Sequence, residues 1–145
     1  MFKNINKFVE YRLNKLKDIV LLLIRILIAY GFFEPALNKL KNINDVISWF
    51  DSLGIPFPFI NAYLSAFTEL LGVILLSFGL LVRYISLPLI IILLIAIKTV
   101  HLSNGFSVEN NGYEIPLYYI IFLLTLFSNG AGKISLDYFI FKDSK

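Results

Sequence analysis

The sequence predicts an all-α integral membrane protein that forms a four-helix bundle. Its 145 residues are 58% hydrophobic and 16% charged, whereas a soluble domain is about 45–50% apolar and about 25% charged. The apolar residues form four segments separated by short polar stretches. A soluble bundle of buried helices is the alternative, but the chain has little amphipathic sequence with which to cover four such segments. The predicted solvent is therefore lipid.

We expect one domain over residues 1–145, with four spans at about residues 18–33, 60–82, 84–100 and 115–127. The first span continues a helix that begins near Asn6. At about 1.5 Å per residue, about 20 residues cross the hydrocarbon layer, so the first, third and fourth segments are somewhat short. Flanking residues then complete the crossing, and three tyrosines around the fourth segment suit the membrane interface: Tyr113, Tyr118 and Tyr119.

The connection between the first two spans contains its own amphipathic segment. Residues 44–53, "NDVISWFDSL", place four apolar side chains on one helical face: Val46, Ile47, Trp49 and Phe50. The following "GIPFPF" carries two prolines, which cannot continue a helix but suit a turn into the next one. We expect a short amphipathic helix on the outer surface. A plain surface or re-entrant loop is the alternative.

The distribution of Lys and Arg predicts the orientation, because cytoplasmic loops carry an excess of them. Nine lie on one side of the spans: Lys3, Lys7, Arg12, Lys15, Lys17, Arg83, Lys133, Lys142 and Lys145. Three lie on the other side: Lys39, Lys41 and Lys98. We therefore expect both termini in the cytoplasm and the connections 34–59 and 101–114 outside. No small-x-small cleavage site follows the first segment, so we expect that segment to be retained.

Ionisable residues within the apolar segments are the candidate functional groups. Counted from the cytoplasmic ends, Glu69 and Lys98 lie at a depth of roughly 20 Å and Arg25 at roughly 10 Å, with His101 one turn beyond Lys98. Charged groups at this depth usually face the bundle interior and pair with one another. We expect a polar cluster between the first three spans, open toward the outer face. Glu69 would pair there with Arg25 or Lys98.

Two interpretations of this cluster stay open. In the functional one, Arg25, Glu69, Lys98 and His101 bind a proton, an anionic or quinone head group, or a metal. In the structural one, a buried ion pair fixes the register of the helices, and such a pair is often close to neutral in stability. For a metal, His101 could be joined by Glu69, Glu109 and Glu114, but their spacing matches no ligand motif, so no metal site is predicted.

Other kinds of chemistry find little support in the sequence. The chain has no Cys, which excludes disulfides and cysteine redox chemistry. A formal net charge of +3 is too small to indicate nucleic acid binding. We identify no glycine-rich phosphate loop and no arrangement for nucleophilic catalysis, so no residue is assigned as catalytic.

Four motifs resemble the DoxX family of small four-helix membrane proteins, over about residues 20–137. The first span has "LLLIRILIAYGFF", and Lys39 lies near its outer end. The second span has "LGIPFP" followed by "AFTELLGVILLSFGLLVR". His101 precedes "NGYEIPL", and the chain closes with "GAGKISLD". The sequence departs from the family in "FFEPALNKL", where glycine is more frequent, and at Ala131, where proline is usual.

The resemblance implies a place in the cytoplasmic (inner) membrane of a bacterium and a set of polar positions. Arg25, Glu69 and His101 match the recurrent polar residues of the family, with Tyr113 and Glu114 at the entry to the fourth span. Glu34 and Lys39 are further candidates. Relatives resemble subunits of quinone-linked thiosulfate oxidation or membrane partners of redox-protective enzymes, and more distant ones assist the maturation of other proteins.

Three functions follow as hypotheses. The first is an accessory or quinone-interacting subunit of a membrane redox system, with quinone as its only suggested cofactor. The second is a non-enzymatic scaffold or maturation partner that binds another protein through the outer loops and the Trp49 face. A small transporter is less favoured, because four spans are few without assembly into a homo-oligomer.

Overall fold

The computed structural model describes the backbone of residues 2–141 and the side chains of Leu13 and residues 16–141. The described chain is helical and contains no strand, which confirms the all-α prediction. Its α-helices are α1 (Phe2–Lys41), α2 (Ile43–Ser52), α3 (Pro58–Phe78), α4 (Val82–Ala96), α5 (Glu114–Asn129) and α6 (Leu136–Phe141). Helix α4 continues into a π-helical turn, Ile97–His101, and a 3₁₀ turn, Leu102–Asn104; a second 3₁₀ turn, Val108–Asn110, precedes α5.

Three helical segments are long and apolar enough to cross a membrane. They are Leu16–Lys41, Pro58–Phe78 and Val82–Asn104, with 26, 21 and 23 residues. The fourth predicted span lies in α5, an apolar helix of 16 residues, which is about 24 Å long. A crossing by α5 and the cytoplasmic position of the termini stay predictions. Six of the basic residues behind the orientation lie outside the described side chains: Lys3, Lys7, Arg12, Lys15, Lys142 and Lys145.

Helix α1 is longer at both ends than the sequence predicted. It begins at Phe2 rather than near Asn6, and it continues past Phe33 through Pro35 to Lys41. Proline normally disrupts a helix interior, because it lacks an N–H and its ring meets the preceding turn, yet here the helix continues through it. The segment "FFEPALNKL" is therefore helical, and it places Lys39 next to α3.

The predicted amphipathic helix between the first two spans is present as α2, from Ile43 to Ser52. It packs against α3, and none of its residues is fully buried. Pro58 then occupies the start of α3, where a missing N–H costs nothing because the first N–H groups of a helix have no partner within it. The position of α2 on the outer surface stays a prediction.

The turn between α3 and α4 requires glycine. Gly79 has φ +68° and ends α3, with the N–H of Leu80 bonded to Leu75 O and that of Gly79 to Leu76 O. This is the Schellman arrangement, in which a left-handed residue closes the helix. A Cβ at Gly79 would also collide with the guanidinium of Arg25. The turn and α1 therefore approach each other so closely that only glycine fits.

The apolar core lies between α1, α3, α4 and α5. Helix α1 packs chiefly on α3, and α4 packs on α5 and α3. Ile28, Leu76, Leu89 and Leu123 are fully buried at these contacts. Many large apolar side chains along the same helices are exposed, an arrangement that in a soluble monomer would be an unusually large apolar surface. Lipid tails can cover that surface.

Candidate functional site

The buried carboxylate of Glu69 is paired with Lys39. Glu69 is 2% exposed, so the expectation that it faces the interior rather than lipid is confirmed. Lys39 Nζ donates to Glu69 Oε1 at 2.5 Å, and the Lys39 side chain is 20% exposed. The predicted pairing with Arg25 or Lys98 is therefore wrong. The prediction failed because it considered only ionisable groups within the apolar spans as partners. Lys39 lies beyond the predicted end of the first span, in the helical extension, and reaches Glu69 of α3.

The stripe that leads to Lys39 is visible along α1. Arg25, Ile28, Phe32 and Ala36 are buried at spacings of three or four residues, and Lys39 continues the same face. Such spacing keeps side chains on one side of a helix. The same face thus begins with one charged side chain and ends with another, with apolar packing between them.

Small and polar residues of α3 are buried along with Glu69. Ala66 and Gly72 are buried beside it, and Gly72 lies against Leu89 of α4, so that a Cβ there would meet the Leu89 methyl groups at 2.9 Å. Ser65 does not reach the carboxylate, because its hydroxyl donates to the carbonyl of Ala62 at 3.1 Å. Within the described residues, Glu69 Oε2 is buried without a hydrogen-bond partner.

The two oxygens of the Glu69 carboxylate can do different things. Oε1 is held by an ammonium, while Oε2 can accept a hydrogen bond from a ligand or take up a proton. Buried polar atoms are nearly always paired, so an acceptor without a protein partner is open to a water molecule, a ligand or a proton. The lysine ammonium carries three N–H groups, so it can serve a second acceptor beside Glu69. Together the two side chains offer both hydrogen-bond donors and an acceptor at the same place.

Arg25 lies at the other end of the interface between α1 and α3. It is 1% exposed, and its two terminal nitrogens donate to backbone carbonyls, Nη1 to Leu76 at 3.3 Å and Nη2 to Ile134 at 2.5 Å. Leu76 is seven residues beyond Glu69 on α3, or about 10 Å, which agrees with the predicted difference in depth. Arg25 thus joins α1 to the end of α3 and to the segment before α6.

Lys98 and His101 contact neither the Glu69–Lys39 pair nor Arg25 in the described hydrogen bonds. Lys98 is exposed, and His101 Nδ1 donates to the carbonyl of Asn111 at 2.8 Å in the connection before α5. Both residues lie in the π-helical turn. The prediction assumed α-helical periodicity through this segment, and a π turn changes which residues share a face. Within the described residues, no hydrogen-bonded cluster contains Arg25, Glu69, Lys98 and His101 together.

The remaining candidate residues from the sequence analysis also lie apart from Glu69. Glu34 is exposed on α1. Glu114 organises the connection before α5, because its Oε2 accepts from the N–H of Val108 at 3.0 Å and its Oε1 from the hydroxyl of Tyr118 at 3.0 Å. The ring of Tyr113 contacts Phe106 edge-on, with centroids 5.6 Å apart. These contacts order the connection without joining it to Glu69.

Two carboxylates that the sequence analysis did not single out accept hydrogen bonds from backbone N–H groups. Asp137 accepts from the N–H groups of Leu81 and Val82, at 2.7 and 3.1 Å, and so caps the start of α4. Asp18 accepts from the N–H of Lys133 at 3.0 Å. The only signal for either was the quoted "GAGKISLD", which ends on Asp137. Among the described residues, no group of three or more His, Asp and Glu side chains could hold a metal ion.

These features define a helical membrane protein with an ion pair buried between two apolar helices. The chain belongs to the DoxX family, whose family model matches residues 20–102. The resemblance inferred from the motifs is thereby confirmed.

Two relatives cover most of the chain. A Haemophilus influenzae protein, described only as an "Uncharacterized protein", is 39% identical over 130 residues, which are 84% of this chain and 83% of the relative. A Bacillus subtilis protein named "Putative oxidoreductase CatD" is 32% identical over 133 residues, 92% of this chain and 96% of the relative. No solved structure matches the chain.

Proposed function

We propose that this chain is a multi-pass protein of the bacterial cytoplasmic membrane that acts as a quinone-interacting or accessory subunit of a membrane redox system. The observation that carries the proposal is the orphaned oxygen of Glu69, buried next to the ammonium of Lys39. The Bacillus subtilis relative is named a "Putative oxidoreductase", which supports the same function. In the proposed topology α5 is the fourth span of a four-helix bundle, and both termini are cytoplasmic.

The donor and acceptor at this place match the head group of a quinone. A quinone carbonyl accepts hydrogen bonds, as Lys39 can provide, whereas the hydroxyl of the reduced form donates one, as Glu69 Oε2 can accept. Ligand sites of this kind combine apolar walls with a few convergent polar groups. Reduction of a quinone consumes two electrons and two protons. The electrons would come from a partner redox protein, and the proposed part of this chain is to bind the head group and hold a proton.

The test is the quinone content of the protein purified from its native membrane in a mild detergent. We expect the wild-type chain to retain quinone, and Glu69→Gln to lose most of it, because an amide can no longer hold the ammonium or take up a proton in the same way. Glu34→Gln is the matched control, since Glu34 is an exposed glutamate near the outer end of α1, and it should retain quinone as the wild type does. Wild-type protein without quinone, or equal loss in both variants, would contradict the proposal.

A scaffold or maturation partner is the second candidate, and one observation favours it. Helix α2 has no buried residue, and Trp49, 45% exposed, lies against Phe50 with ring centroids 5.6 Å apart. Exposed aromatic residues of this kind are frequent anchors of protein interfaces. A scaffold predicts a stoichiometric partner whose recovery survives Glu69→Gln and fails with Trp49→Ala. A quinone site predicts that bound quinone is lost in Glu69→Gln and retained in Trp49→Ala.

A further inference from the structure

A cleft of about 620 Å³ opens at the end of the molecule that contains Asp18 and Asp137, away from the pair of Glu69 and Lys39. The start of the apolar part of α1, the turn before α4 and the segment after α5 line it together with α6. Three basic side chains lie on its walls: Lys17, Arg83 and Lys133. The orientation predicted from the sequence places this end at the cytoplasmic surface.

The two carboxylates of the cleft make no ion pair with its three basic side chains within the described residues. Asp137 uses both oxygens to accept backbone N–H groups of the α4 turn, and Asp18 accepts the N–H of Lys133. The one ion pair found among the described residues is that of Lys39 with Glu69. The cleft therefore holds three cations against two carboxylates, and none of the three cations is in an ion pair with a described residue.

Arg83 is held in place for such an anion. Its Nη2 donates to the carbonyl of Ser128 at 3.3 Å, which uses one of five guanidinium N–H donors. Gly130, with φ +78°, brings the backbone next to the guanidinium, so that a Cβ there would lie 3.3 Å from Nε. A planar guanidinium with free N–H groups suits the oxygens of a phosphate.

The walls of the cleft are apolar as well as basic, which points to an amphiphile. Leu21, Leu81 and Tyr84 contribute to the lining, and the neighbouring faces of α1 and α4 carry exposed apolar residues. A phosphate held at the basic rim would leave an attached acyl chain lying along these faces. Basic pockets on the cytoplasmic side of membrane helices are a general way to bind anionic lipid head groups.

We propose that this cleft binds the phosphate of an anionic phospholipid, with Lys17, Arg83 and Lys133 as its cationic ligands. The inference uses none of the residues of the quinone proposal. The two proposals can therefore fail separately.

The experiment is a titration of the delipidated full chain in detergent with dioleoyl phosphatidylglycerol, with bound lipid counted by native mass spectrometry. Phosphatidylcholine with the same acyl chains is the comparison, and we expect it to bind much more weakly. Each basic residue near an anionic surface contributes about fivefold to affinity. The double variant Lys17→Gln with Lys133→Gln should therefore raise the apparent Kd for phosphatidylglycerol about 25-fold.

The matched control is Lys41→Gln with Lys98→Gln, which removes the same charge from two exposed lysines outside the cleft; it should bind phosphatidylglycerol as the wild type does. Equal weakening in both double variants would mean unspecific attraction and overturn the proposal. Binding of inorganic phosphate without binding of phosphatidylglycerol would assign the cleft to a free anion and overturn it too. If the cleft double variant does not fold, the single Lys17→Gln should raise the Kd about fivefold. Wild-type affinity for phosphatidylglycerol in Glu69→Gln separates this result from the quinone test.

Discussion

The interface between α1 and α3 carries a buried charge at each end, and the two ends differ in how the charge is satisfied. At one end, Arg25 donates from both terminal nitrogens to backbone carbonyls of two other segments, while its Nε has no partner among the described residues. At the other end, Glu69 has one oxygen paired with Lys39 and the other without a partner among the described residues. Arg25 and Glu69 both lie between apolar helices, where an unpaired charge costs free energy.

The difference separates a structural use of charge from a chemical one. Backbone carbonyls are fixed acceptors that do not ionise, and a guanidinium keeps its proton in a protein, so the contacts of Arg25 hold three segments together without a titratable group. A carboxylate that shares one ammonium can change its protonation or its partner. The contacts of Arg25 are therefore structural, whereas Glu69 and Lys39 form a candidate ligand-binding site.

The largest effect that tests this comparison is expected for Arg25→Lys. An ammonium keeps the charge but lacks the planar fork that reaches Leu76 O and Ile134 O together, and each hydrogen bond to a charged group is worth about 1.5–3 kcal/mol. We expect the free energy of unfolding in detergent to fall by about 3 kcal/mol. Arg83→Lys is the control, because Arg83 is exposed and makes one hydrogen bond of 3.3 Å; its loss should stay below about 1 kcal/mol.

The opposite result for Arg25 would be informative. If Arg25→Lys leaves the free energy of unfolding unchanged but releases quinone from the purified protein, then Arg25 belongs to the ligand site and does not have a purely structural role.

Measured against its control, Gly79→Ala should have the next largest effect on the contacts of Arg25. The change places a Cβ at φ +68° and into the guanidinium of Arg25. A left-handed conformation costs a residue with a Cβ about 1–2 kcal/mol, and the displaced guanidinium adds the loss of its bonds. Gly54→Ala is a matched control, since Gly54 has φ +71° with nothing within 4 Å. Chemical denaturation should show Gly79→Ala to be about 2 kcal/mol more destabilising than Gly54→Ala, and equal costs would argue against a tight contact.

The smallest effect is expected for the coupling between Glu69 and Lys39. In a double-mutant cycle of Glu69→Gln and Lys39→Met, each single change leaves the partner group unmatched, and the double change removes both. Since Lys39 is 20% exposed, solvent screens part of the interaction. We expect a coupling energy of about 1 kcal/mol in the free energy of unfolding, with the double variant more stable than the sum of the singles predicts. Strictly additive costs would mean that the pair contributes nothing as a pair.

Much of the helical plan could be read from the sequence because it depends on local composition. The four apolar segments, the amphipathic α2 and the start of α3 at the prolines follow from hydrophobicity and backbone chemistry that act over a few residues. The interior position of Glu69 followed from the cost of a carboxylate in an apolar environment. The family was identified from short motifs, and the family model confirms it over residues 20–102.

The partners of the charged residues could not be read in the same way. Helix α1 continues through Pro35, so tertiary packing outweighs the local tendency of proline to break a helix, and this continuation brings Lys39 to Glu69. The π-helical turn moves Lys98 and His101 out of the expected register. Neither event has a strong local signal.

The sequence by itself thus determined that the chain is helical and membrane-bound and that Glu69 is buried, since these depend on the free energy of placing each residue in lipid or in water. Only the tertiary structure decided that Lys39 pairs with Glu69 and that Arg25 fastens the end of α3. A side chain several ångströms long has several partners within reach, and the choice among them depends on the angles and registers at which whole helices pack.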